Sequence, residues 1–61
     1  MKSFREIWIS MDSDEKQRLA DNVKSSKAYL SQIAYGHRAA SRIMMRKLVD
    51  SDPRLHAEMF L

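Results

Sequence analysis

The sequence has no cysteine, which excludes a disulfide framework and a thiolate metal site and fits a reducing cytoplasm. One glycine and one proline exclude a glycine-rich phosphate loop and leave no low-complexity segment or flexible linker. Histidines are scarce as well. His37 and His56 lie far apart without carboxylates at metal-ligand spacing, so both read as solvated surface residues. No apolar run approaches the roughly 18 residues of a membrane span. Residues 2–13, KSFREIWISMDS, carry charge within their apolar segment and lack a signal-peptide cleavage pattern. With no nucleophile–base–orienter set, an enzyme is set aside and no cofactor is expected.

The remaining absence is of carboxylates. Residues 23–49 contain six basic side chains (Lys24, Lys27, Arg38, Arg42, Arg46, Lys47) and no acidic one. All eight acidic residues and the other five basic ones lie outside that stretch, which splits the net charge into +6 within and −3 without. A one-sign field of this kind suits a polyanionic partner, the plainer alternative being a solvated basic face. A length of 61 residues allows one domain, 1–61, with a thin core and only a few kcal/mol of stability.

What is present is helical periodicity. Phe4, Ile7, Trp8 and Met11 share one face, and Ser3 with Glu6 has the spacing of a capping box. Trp8 is read as a core anchor. Asp12 and Glu15 repeat that spacing ahead of a second helix running to Asn22, with Asp14 also at its dipole-positive end. Leu19, Ala20 and Val23 share its inner face, and Leu30, Ile33 and Ala34 share that of a third helix over about 26–35. Ser25 or Ser26 can cap the third helix, and Gly36 follows it where a left-handed residue is wanted. A fourth helix, capped by Ala40 or Ser41, is expected to reach about Asp50 and to bury Ile43, Met44, Leu48 and Val49. Asp52 as N-cap and Pro53 at the first helical position predict a fifth, carrying Leu55, Met59 and Phe60. The expectation is an all-α, compact bundle of about five short helices.

The pair of helices around residues 16–36 has the spacing of a helix-turn-helix. Leu19-Ala20, Ser25-Ser26, Leu30-Ser31-Gln32-Ile33 and Gly36-His37-Arg38 resemble the corresponding elements of the phage repressor and Cro family, over about residues 14–51. Lys24 stands where that family has its turn glycine, and Ser25 where it has an apolar residue. A left-handed lysine costs on the order of 1 kcal/mol, so the corner is expected to be wider or shifted by one residue. Ala20 falls where the family keeps a small residue at a close helix crossing.

The resemblance implies a lambda repressor-like fold and a cytoplasmic, sequence-specific regulator that reads double-stranded DNA as a homodimer. Ser26, Lys27, Ala28 and Gln32 match its base-contacting positions. Lysine can donate to guanine, glutamine can pair with adenine, and alanine can touch a thymine methyl. Arg38, Ser41 and Arg42 match its sugar-phosphate contacts. Lys16 and the Tyr29 hydroxyl are further backbone candidates, although packing is Tyr29's simpler role. The alternative is a small helical protein-interaction module, antitoxin-like or partner-binding, that uses the same hairpin.

Overall fold

The computed structural model describes residues 2–61, which pack with a radius of gyration of 10.1 Å. Four α-helices are present: α1 (Phe4–Ser10), α2 (Ser13–Asn22), α3 (Lys27–Ala34) and α4 (Arg42–Ser51). A short 3-10 helix, Ala57–Phe60, follows, and the described residues contain no strand.

Each α-helix starts where a short polar side chain takes up a free amide. Ser3 and Glu6 cap each other reciprocally at α1: Glu6 N–H donates to Ser3 Oγ, and Ser3 N–H donates to Glu6 Oε1, both at 3.2 Å. At α2 only half of such a box forms. Asp12 Oδ1 accepts from Glu15 N–H at 2.8 Å, while the Glu15 carboxylate turns to Arg54 Nη2 at 3.4 Å. Ser26 and Ser41 cap α3 and α4 by accepting from Tyr29 N–H and Met44 N–H, each at 3.1 Å.

Two helices end on the same six-residue hydrogen-bond pattern. After α2, Ser25 N–H donates to Ala20 O (2.8 Å) and Lys24 N–H to Asp21 O (3.1 Å). After α3, His37 N–H donates to Gln32 O (2.8 Å) and Gly36 N–H to Ile33 O (3.2 Å). Both are Schellman endings, which need a left-handed residue just past the helix. Gly36 supplies it with φ 82° and Lys24 with φ 55°. The expected widening or shift of the α2–α3 corner does not occur; the lysine takes the strained conformation in place.

The core gathers one stripe from each helix. Phe4, Ile7, Trp8 and Met11 come from the α1 region, Leu19, Ala20 and Val23 from α2, Leu30, Ile33 and Ala34 from α3, and Leu48 from α4. Leu55 closes it, with Met44, Met59 and Phe60 packed on its margin. α3 packs against both α1 and α2, and α4 against α2 and the 3-10 turn. Ala20 has no exposed surface, and an α2 lodged between α3 and α4 leaves little room for a larger side chain there.

The sequence expectation also fails in α4, where only Leu48 is fully buried and Val49 is half-buried, and after it. Ile43 is 71% exposed rather than buried. It precedes Met44 and Leu48, whose i, i+4 spacing sets the inner face of α4, and falls on the flank with Arg42 and Arg46. The fifth α-helix is also absent. Asp52 and Pro53 occupy the first two positions of a turn closed by Leu55 N–H donating to Asp52 O at 3.0 Å. Aspartate at the first position and proline at the second favour a type I turn as strongly as a helix start. The Asp52 carboxylate serves the turn by accepting from Arg54 N–H (2.9 Å), Nε (3.1 Å) and Nη2 (2.7 Å).

Candidate nucleic-acid interface

α3 is held from behind by Leu30, Ile33 and Ala34, so its other side faces solvent. Ala28 and Gln32 are both exposed there. Four residues apart, they stand one above the other on a helix surface. Ser31, beside Gln32, is half-buried.

The other base-contact candidates have structural work as well. Ser26 is exposed, but its Oγ accepts the Tyr29 amide as the α3 cap. Lys27 is half-buried, and its Nζ donates to Ser13 Oγ, at the first residue of α2, at 3.0 Å. The ammonium therefore bridges the starts of two helices instead of extending freely from α3. No local sequence pattern ties Ser13 to Lys27. Only the three-dimensional approach of α2 to α3, 14 residues apart along the chain, reveals it.

The backbone-contact candidates divide similarly. Arg38 and Arg42 are exposed. Arg38 holds its guanidinium 5.9 Å from the centre of the Tyr29 ring, a cation–π distance, and Tyr29 itself is half-buried against the core. Ser41 is exposed, with its Oγ engaged in capping α4. Lys16 lies apart from this cluster: half-buried, it places Nζ 5.2 Å from the buried Trp8 ring. A third such contact sets the Arg5 guanidinium 5.1 Å from the exposed ring of Tyr35.

Asp50 shares a surface groove with Arg42, Arg46 and Lys47 on α4 without forming an ion pair with them. Among the described residues, the ion pairs join Arg54 to Asp52 (2.7 Å) and to Glu15 (3.4 Å). Lys24, Lys27, Arg38, Arg42, Arg46 and Lys47 take part in none. The Asp52 carboxyl lies below its ordinary value, chiefly because it accepts hydrogen bonds from the Arg54 side chain, with burial opposing. Arg54 is raised correspondingly by the same bonds. Both belong to the turn after α4, outside the cationic stretch.

Among the described residues, no group of three or more His, Asp or Glu side chains is placed to hold a metal ion, and no helix is long and apolar enough to cross a membrane. Comparison with protein-family models, curated proteins and solved structures yields no match, so the reading of this surface rests on its own residues.

Proposed function

We propose that the chain is a sequence-specific regulator that binds double-stranded DNA, of the size and kind of a Cro-like phage or prophage repressor. In this reading α2 and α3 act as a helix-turn-helix. α3 lies in the major groove, and two copies occupy inverted half-sites. Repression follows from occupying an operator, with protein concentration as the control.

The observation that carries the reading is the side of α3 opposite the core. Ala28 and Gln32 are free there, within a stretch whose six cations have no acidic partner. Gln32 can make paired hydrogen bonds to adenine, and Ala28 can meet a thymine methyl. Lys27, bonded to Ser13, reaches a guanine only by exchanging that bond to a hydroxyl for one to the base. Arg38 and Arg42 grip phosphates and fix the register without reading sequence.

Selection from a random duplex pool tests this directly, with enrichment of an inverted repeat as the expected result. Six phosphate contacts would give a log–log salt slope of about −5. Gln32→Ala should relax preference at one base position and cost about 1–3 kcal/mol, while Arg42→Ala should weaken all duplexes alike. A pool without enrichment, or binding indifferent to salt, would refute the proposal. The second reading, a protein-interaction module, is favoured by Ile43, which is 71% exposed on α4. A largely apolar contact there would be nearly insensitive to salt.

A further inference from the structure

We infer that the outer side of α4 docks a second copy of this chain about a twofold axis, with Arg46 of each copy paired to Asp50 of the other. Arg46 and Asp50 are exposed and stand one turn apart, forming a ridge between two surface grooves of about 310 Å³ each. Both residues line both grooves. Ile43 lines only the first, and Met45, Val49 and Ala57 line only the second. On its other side α4 packs against α2 and the 3-10 turn.

Asp50 is poorly served within its own chain. It lies near the end of α4, where the helix dipole is negative and the last turn carries no basic residue. Arg46 precedes it by four residues, the order that makes the weaker intrahelical pair. Among the described residues Asp50 forms no ion pair with Arg46 or Lys47. A cation from outside the chain answers both deficits. A ridge bearing one charge of each sign is complementary to itself when turned end for end, so a second copy supplies that cation and receives one in return. A twofold axis near the level of Leu48 forms two Arg46–Asp50 pairs at once.

Charge also selects the groove. Arg42, Arg46 and Lys47 line the first, where a copy with the same cations is repelled. The second is lined by Arg46 and Asp50 beside Met45, Val49 and Ala57. The ridge of each copy seats there, at the crossing of about −50° that rows four residues apart favour. Arg38 and Arg42, the phosphate contacts of the DNA reading, lie outside this groove. The ten residues of α4 give a face only about 15 Å long. That is too short for the roughly 800 Å² per partner of a stable complex, so the free dimer is weak, with a Kd on the order of 0.1 mM. On an operator the contact joins the copies on the two half-sites, a role that rests on the DNA reading; the contact itself forms without DNA.

Sedimentation equilibrium of the full chain, free of DNA, tests the contact, with a monomer–dimer equilibrium expected up to about 1 mM. Arg46→Asp and Asp50→Arg should each weaken self-association about tenfold, because both cross-pairs become like-charged. Circular dichroism should show both variants folded, since the substituted side chains are exposed. Mixed in equal amounts, the two variants should form a dimer of one copy of each. Arg46→Asp combined with Asp50→Arg in one chain should restore the homodimer. Ile43→Ser, in the other groove, should associate like the parent. The contact is overturned by a parent that stays monomeric, by single reversals that associate like the parent, or by a mixture that does not pair. Loss of association in Ile43→Ser also overturns it, by moving the occupied surface to the first groove. A chain that dimerises in this way but binds no duplex refutes the DNA reading and leaves the contact standing. One that binds an inverted repeat yet fails the charge-reversal test loses the contact alone.

Discussion

Replacing Lys24 with glycine should stabilise the protein. Lys24 has φ 55°, in a helix ending that shares both Schellman hydrogen bonds with the one where Gly36 has φ 82°. For a residue bearing Cβ, that conformation costs about 1–2 kcal/mol. The Lys24 side chain is exposed and takes part in no ion pair among the described residues, so little is lost on its removal. Glycine returns about 0.5–1 kcal/mol of the gain through the greater freedom of the unfolded chain. The net is a stabilisation of about 0.7 kcal/mol, or roughly 3–6 °C in Tm for a domain of this size.

The second ending supplies the control. A Cβ built on Gly36 meets nothing within 4 Å, so Gly36→Ala carries backbone strain without a clash. Its effect should match Lys24→Gly in size and oppose it in sign. Lys24→Ala removes the charge but keeps the strain, and should leave Tm almost unchanged. Thermal and urea unfolding followed by circular dichroism measure all three, with a constant m-value confirming a shared unfolded state. If Lys24→Gly lowers Tm, or moves it no more than Lys24→Ala does, backbone strain at the corner is not the controlling quantity.

Ala20→Leu should overpack the fully enclosed position where α2 meets its neighbours, costing about 1–3 kcal/mol and lowering the urea midpoint sharply. A variant as stable as the parent would rule out close packing there. Asp52→Asn should destabilise the protein at neutral pH. The folded carboxyl lies below its ordinary value of 3.8, so its contribution is present above that value and disappears as pH falls through the lowered one. The stability gap between parent and variant should therefore close under acid, and a constant gap down to pH 2 would contradict this linkage. Substituting Arg42 and Arg46 together with glutamine should change stability by no more than about 0.5 kcal/mol while reducing duplex binding at every sequence.

Helix starts were the most legible part of the chain. A serine or aspartate cap must lie next to the amide it satisfies, so Ser3, Asp12, Ser26 and Ser41 advertise their function over three residues. Internal stripes were legible for the same local reason, as at Leu30, Ile33 and Ala34. Asp52-Pro53 was ambiguous because one dipeptide suits a helix start and a turn equally well; the position of Leu55 in the core decides between them. Ile43 misled because an apolar residue beside a true core position shares its periodicity within the error of one residue. The Lys27–Ser13 bond was invisible, since no local pattern links residues 14 apart in a chain that turns a corner between them.

The same distinction between local and distant interactions explains why the cationic stretch is available for a partner. Caps, the apolar stripes and the Arg54 turn account for the packed elements, and none of them draws on an ion pair from Lys24, Lys27, Arg38, Arg42, Arg46 or Lys47. Six like charges on a small domain repel one another, so their concentration is a mild cost to the folded state rather than a source of stability. Of the six, Arg38 lies at a cation–π distance from the Tyr29 ring, which orients its guanidinium without neutralising it. A fold stabilised elsewhere can keep these charges unpaired in solvent, and unpaired charges are what an anionic partner encounters with the least to displace.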